Sequence, residues 1–149
     1  MSKVQFTTKG NTADLEKFTN YVMLDGKKTI ARKIIADTLQ YIKDKTKEDP
    51  IGVFNKAIEN AKPAMEVRAR RIGGAVYQIP VEVKPYRQFQ LACRWILKIT
   101  RDKKGSPMYK RLGDELMHAA NNEGSAVKKK EDTHRMAAAN KAFAHFARY

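Results

Sequence analysis

The sequence predicts a mainly α protein: a helical bundle of about six helices with a protruding two-stranded β-hairpin between the third and fourth helices. Three observations carry this prediction. Apolar residues recur at the helical period along most of the chain. The period drops to two on either side of Gly73-Gly74. No internal repeat and no Gly/Ser- or Pro-rich linker divides the 149 residues. Domains cluster at about 100–150 residues, so residues 1–149 read as a single domain, with 1–12 as a flexible arm.

The first helix is expected from about Asp14 to Leu24, where Leu15, Phe18 and Val22 share a face and Asp25-Gly26 stops the run. A second fits Thr29 to about Lys45, with Ile30, Ile34, Ile35, Thr38, Tyr41 and Ile42 as its apolar stripe. Asp49-Pro50 reads as an N-cap followed by proline at the first helical position. The helix it opens turns Ile51, Phe54, Ile58 and Ala61 inward and ends before Pro63. A fourth helix follows the hairpin, with Phe89, Cys93, Ile96 and Ile99 toward the core. Ser106-Pro107 repeats the cap grammar before a fifth, which carries Leu112 and Leu116 and closes at Asn121–Gly124. The last covers roughly Glu131 to Phe146, with Met136, Ala139 and Phe143 on one side.

Between the third and fourth helices Met65, Val67 and Ala69 alternate with Glu66, Arg68 and Arg70. After the glycine pair, Ala75, Tyr77, Ile79, Val81 and Val83 alternate with Val76, Gln78, Pro80 and Glu82. Two alternating runs around Gly-Gly spell a hairpin. Pro80 is tolerated because every strand of a two-stranded ribbon is an edge. The expected ribbon is amphipathic, with Arg68 and Arg70 on one face and Met65, Val67, Tyr77, Ile79 and Val81 on the other.

Composition narrows the function. Lys and Arg number 30 against 16 Asp and Glu, a net charge of +14. Self-repulsion on that scale disfavours the compact state, so an anionic partner is expected, nucleic acid before a membrane surface. Residues 62–111 concentrate the excess, with 13 basic and 3 acidic side chains. A lone cysteine, Cys93, excludes an internal disulfide and fits a reducing compartment. No apolar run reaches the length of about 18 that spans a bilayer, and Met1–Phe6 contains no signal-peptide core.

Catalytic patterns are absent. The chain contains no Walker loop, no Gly-x-Gly-x-x-Gly opening a helix, no Cys-x-x-Cys and no His-Glu-x-x-His. His118, His134 and His145 have no partner at metal-ligand spacing; His134 and His145 are expected three turns apart along one helix face. Cys93, among Leu91, Ala92, Trp95 and Ile96, reads as a buried inert thiol. The reading is a non-enzyme with no cofactor, no metal and no small-molecule substrate.

Cations, by contrast, are patterned. Arginine forks bind phosphates bidentately and stack on bases, and the ribbon carries Arg68, Arg70 and, beside its tip, Arg71. On the fourth helix Arg87, Arg94, Lys98 and Arg101 form one stripe with no acid before Asp102, extended by Lys103, Lys104, Lys110 and Arg111. Lys128, Lys129 and Lys130 read as a flexible cationic loop ahead of the last helix.

Four stretches together resemble bacterial-type ribosomal protein seven of the small subunit, bacterial or organellar. They are LDGKKTIARKI at Leu24–Ile34, KPAMEVRARRIGGAVYQIPVEV at Lys62–Val83, RLGDELMHAANNEGSAVKKKEDTHRMAAANKAFAHF at Arg111–Phe146, and LACRWIL around Trp95. The resemblance runs from about Leu15 to the end. It implies a structural constituent of the small ribosomal subunit and a primary ribosomal-RNA binder that nucleates assembly of the subunit head. It implies a place beside the exit-site tRNA and the mRNA exit path. The implied partners are the 3′ major (head) domain of small-subunit rRNA, exit-site tRNA and mRNA, and small-subunit ribosomal proteins nine and eleven. The implied location is the ribosome of a bacterial cytoplasm or an organelle matrix.

With the charge pattern, the resemblance marks Lys27, Lys28, Arg32, Arg68, Arg70, Arg71, Arg87, Arg94, Lys98, Arg101, Lys110, Arg111, Lys128, Lys129, Lys130 and Arg135 as RNA-binding. Arg71, Gly73, Gly74 and Tyr77 are the ribbon tip on the tRNA and mRNA side. The family usually opens with a longer basic arm holding Arg-Arg pairs and a Pro-Asp-Pro turn; here MSKVQFTTKGNTADLEKF stands in its place, with Lys3 and Lys9 as the remaining local candidates. That opening and the Lys/Ile-rich composition point toward an organelle or a reduced genome. The alternative from another class is an architectural DNA-binding protein whose arginine ribbon enters a groove.

Overall fold

The computed structural model describes residues 12–148. The arm expected over 1–12, with Lys3 and Lys9, falls outside the described residues except for Thr12. The elements run α1 (Thr12–Val22), α2 (Lys28–Thr46), α3 (Pro50–Ala61), β1 (Met65–Ile72), β2 (Ala75–Glu82), α4 (Pro85–Asp102), α5 (Met108–Ala120), α6 (Ser125–Ala139) and a 3-10 segment (Lys141–Arg148). The hairpin sits between α3 and α4, as its Gly-Gly signature predicted.

The helices form around an apolar cluster. Leu15, Phe18 and Val22 of α1 are buried, and the Phe18 and Phe54 rings meet with centroids 5.1 Å apart. On α2 the inward residues are Ala31, Ile35, Thr38 and Ile42. Ile30, expected in that stripe, is 56% exposed, because the small Ala31 takes the inward position in the first turn. The α3 cap forms as expected: Asp49 Oδ1 accepts from Ile51 N at 3.2 Å, with Pro50 at the first helical position.

Helix α5 packs across α2 and α3. Gly113 faces Tyr41 so closely that a Cβ there would lie 2.5 Å from Tyr41 Cδ1. The Tyr41 hydroxyl donates to Asp114 Oδ1 at 2.8 Å, a bond that raises the phenol pKa above its ordinary value. Asn60 Nδ2 donates to the carbonyls of Ala119 and Ala120 at 2.8 and 3.1 Å, satisfying the C-terminal turn of α5.

Three expectations are corrected at the later helices. Ser106 does not cap α5. Pro107 occupies the cap position and its carbonyl accepts from Arg111 N at 3.2 Å, so Ser106 lies one residue too early. Lys128–Lys130 are not a loop. The helix begins at Ser125, because Ala126 and Val127 are buried and Ala126 N donates to Glu115 Oε1 at 3.1 Å. The final helix also stops at Ala139. Met136 is 55% exposed, and the chain tightens into the 3-10 segment that lays Phe143 and Phe146 against Tyr77, with centroids 5.2 Å apart in each pair. His134 and His145 therefore share no helix.

The ribbon turns through Gly73 and Gly74 at φ 58° and 87°, the left-handed pair that a two-residue hairpin turn requires. Its register pairs Arg68 with Ile79, Arg70 with Tyr77 and Glu66 with Val81. Directly opposite residues project to the same face. The amphipathic ribbon expected from the alternation is therefore wrong: Arg68 and Arg70 share a face with Tyr77, Ile79 and Val81. Met65, Val67 and Arg71 lie on the other, with Glu82, Pro80 and Val76. The base is tied to the bundle through Glu66, 8% exposed. Arg87 Nε and Nη2 donate to its two oxygens at 2.9 and 3.2 Å, and Arg68 Nε and Nη2 donate to Oε1 at 3.1 and 3.0 Å. Burial favours the neutral acid, but the two guanidiniums outweigh it and hold the Glu66 carboxyl below its ordinary pKa.

Two predictions follow from this packing. Gly113→Ala should cost about 1–3 kcal/mol in urea unfolding, since the new methyl displaces the Tyr41 ring from Asp114; an unchanged midpoint would refute the close contact. Glu66→Gln should cost about 1.5–3 kcal/mol. Because the folded pKa lies below the unfolded one, the Glu66 contribution is complete above the ordinary carboxylate range and is lost as pH falls through the folded value. The substitution should flatten the acid limb of the stability–pH curve, and an identical limb in the variant would count against the anchor.

Candidate nucleic-acid interface

The sixteen marked cations fall into three groups. Five are engaged by carboxylates. Lys28 Nζ and Arg32 Nη2 reach Glu16 Oε1 at 3.0 and 3.4 Å, and the Lys28 hydrogen bond leads in holding the Glu16 pKa below its usual value. Arg68 and Arg87 bind Glu66, and Arg135 Nη1 lies 3.4 Å from Asp132. Pairs as exposed as Arg135–Asp132 contribute little and open readily.

Two more are bound to backbone. Arg101 Nη2 donates to the carbonyls of Tyr21 and Val22 at 3.2 and 3.3 Å, closing the C-terminus of α1 against α4. Arg111 Nη1 donates to Thr100 O at 3.2 Å and also to Lys103 O, holding the end of α4. Lys103, counted in the extended stripe, binds the fully buried Glu115 at 3.1 Å. The geometry thus divides the α4 stripe: Arg87 and Arg101 hold neighbouring elements, and Arg94 and Lys98 stand exposed with no acid within ion-pair distance among the described residues.

Nine remain without a carboxylate partner among the described residues: Lys27, Arg70, Arg71, Arg94, Lys98, Lys110, Lys128, Lys129 and Lys130. Their placement follows from the core behind them. On α4, Ala92, Cys93, Ile96, Leu97 and Thr100 are buried, which turns Arg94 and Lys98 outward. On α6, buried Ala126 and Val127 fix the rotation that presents Lys128 and Lys129 to solvent. Arg70 and Arg71 lie on opposite ribbon faces near the turn, with Gly73, Gly74 and Val76 exposed beside them. Tyr77 does not stand free at the tip, because its ring is packed on Phe143 and Phe146.

The groups weighed for chemistry do structural work. His134 Nε2 accepts from Ala64 N at 2.9 Å, tying α6 to the base of the ribbon. Cys93 is fully buried and its thiol is pushed up to about 12 by that burial, far from a reactive thiolate. Among the described residues no cluster of His, Cys, Asp or Glu is arranged to hold a metal ion, and no helix is long and apolar enough to cross a membrane. Sequence reasoning missed the two organising acids, Glu66 and Glu115. For Glu66 a signal existed, since it is a lone carboxylate two residues before Arg68 in a strand otherwise basic. Glu115 had none beyond its place between Leu112 and Leu116.

The profile of the family described as "Ribosomal protein S7p/S5e" matches residues 2–141. The chain is 54% identical over 136 residues to the small ribosomal subunit protein uS7 of Thermosipho africanus, covering 91% of this chain and 88% of that one. It is 58% identical over 130 residues to the uS7 of Thermotoga neapolitana, covering 87% and 84%. To the uS7 of Maridesulfovibrio salexigens it is 55% identical over 130 residues, covering 87% and 83%. With a match that spans residues 2–141 and relatives more than half identical over most of its length, the chain belongs to the S7p/S5e family of ribosomal proteins.

Proposed function

We propose that this chain is a primary ribosomal-RNA binder that nucleates assembly of the head of the small subunit. As a family member it is a structural constituent of the small ribosomal subunit of bacterial type and not an enzyme. The observation that carries the RNA-binding reading is the set of nine cations without a carboxylate partner among the described residues. They are distributed over the start of α2, the ribbon, α4, α5 and α6, so that a folded RNA is engaged at several points at once. The 3′ major domain of small-subunit rRNA is the proposed ligand, and the whole chain acts as a single RNA-binding domain. The ribosome of a bacterial cytoplasm or an organelle matrix is the proposed location.

Two further contacts belong to the same proposal. The exposed ribbon tip, Arg71 with Gly73 and Gly74, faces the exit-site tRNA and the mRNA path. Tyr77 supports that tip from its own face by packing on the 3-10 segment. Ribosomal proteins nine and eleven are the proposed protein neighbours.

Binding of the head-domain rRNA should weaken steeply with salt, at a log–log slope of about −0.7 to −0.9 per neutralised phosphate. Arg94→Glu with Lys98→Glu should lower affinity and flatten that slope while leaving helical circular dichroism and the unfolding midpoint unchanged. A slope near zero, or equal competition by duplex DNA of the same length, would overturn the RNA reading; the second result would favour an architectural DNA-binding protein. Shortening the ribbon across Arg71–Val76 should leave entry into small subunits intact and alter retention of deacylated tRNA at the exit site. Failure of the shortened protein to enter subunits would make the tip an assembly contact instead.

A further inference from the structure

The C-terminal ends of α1 and α4 meet beside a groove lined by Tyr21, Arg94, Leu97, Lys98, Arg101 and Asp102. Two of its walls are apolar. Tyr21 is half-buried, and Leu97, 2% exposed, forms the floor. Two rim residues, Arg94 and Lys98, are exposed cations one helical turn apart, about 6 Å along the axis. Arg101 does not serve as a third free cation, since its Nη2 is committed to the Tyr21 and Val22 carbonyls. It ties the end of α1 to α4 instead.

We propose that this groove takes one unpaired nucleotide of RNA, with the base against Tyr21 and Leu97 and the flanking phosphates on Arg94 and Lys98. The proposal rests on the RNA-binding reading above and specifies one of its contacts. An aromatic and an aliphatic side chain lining one groove offer a stacking surface to any base. The orientation follows from charge. Two helices end here, at Val22 and Asp102, and helix C-termini carry partial negative charge. The Asp102 carboxylate adds to it, with no ion pair among the described residues. At the α1 end that charge is met by the Arg101 guanidinium, so the acceptor left at the inner end of the groove is the Asp102 carboxylate, and the uncommitted cations stand at the outer rim. That carboxylate can accept from an exocyclic amine of adenine, cytosine or guanine, or from the ring N–H of uracil or guanine. Phosphates are drawn to the outer rim, where Lys98 and Arg94 stand about one and two turns back from the helix end.

The test uses the full chain and a transcript of the head domain of small-subunit rRNA. Tyr21→Phe keeps the aromatic face and should hold wild-type affinity within about twofold. Tyr21→Leu keeps an apolar wall without the ring and should weaken binding roughly five- to a hundredfold, with the salt slope of the wild type, because no cation has been removed. Lys98→Ala should do the converse and reduce the slope by about one phosphate. Wild-type affinity in a folded Tyr21→Leu overturns the groove, and is also the result if a protein side chain rather than a base fills it. Where Tyr21→Leu unfolds, short-wavelength cross-linking of the wild-type complex decides: a nucleotide adduct on Tyr21 supports the site, and adducts only elsewhere overturn it. A wild-type chain that fails to bind the transcript, or binds it with a flat slope, overturns the RNA-binding reading itself. A steep slope with no effect of Tyr21→Leu overturns the groove alone.

Discussion

Glu115 is fully buried in a protein of strong positive charge, and much of the architecture hangs on how its two oxygens are satisfied. One accepts from Lys103, just beyond the end of α4, and the other from the Ala126 amide in the first turn of α6. A buried carboxylate left without partners costs several kcal/mol, on the order of 3–5 when one partner of a pair is removed. The three helices are therefore held in one arrangement. A carboxylate at a helix N-terminus also suits the positive end of the dipole. From this junction α6 is aimed along the bundle so that His134 reaches the Ala64 amide at the root of the ribbon.

The ribbon depends on that chain of contacts because a lone hairpin is only marginally stable. It is pinned on α4 through Glu66 and Arg87, on α6 through His134, and on the 3-10 segment through Tyr77. Its tip is left exposed. The result is a rigid base carrying an exposed cationic end, which is the geometry a contact far from the bundle needs.

The cations divide into committed and uncommitted ones. Arg87, Arg101 and Arg111 use their planar, multiply donating forks inside the molecule, on a buried carboxylate and on helix-end carbonyls. Lysines at 27, 98, 110, 128 and 129, with Arg70, Arg71 and Arg94, are exposed, and Lys130 is half-buried. A cationic sequence therefore overstates the surface available to RNA: part of the excess charge is structural, and the free part is concentrated on a few helix faces and the ribbon end.

Much of this was legible in the amino-acid sequence. Helix number and order, the hairpin and its turn, the Asp49 cap and the basic character followed from local rules: 3.6- and 2-residue periods, a glycine pair, a carboxylate before proline. These are properties of neighbours along the chain. The start of α6 was not legible, because a distant carboxylate on α5 stabilises its first turn. The pairing across the ribbon was within reach, since a two-residue turn puts Arg68 opposite Ile79, but alternation along each strand says nothing about the other strand's parity. Which of the sixteen cations are free was beyond any reading of sequence. Arg94 and Arg101 look alike on one helical stripe, yet only the packing of α1 against α4 brings two carbonyls to Arg101 and none to Arg94. Electrostatic commitment is set by three-dimensional proximity, and proximity between residues 80 apart is decided by the tertiary fold alone.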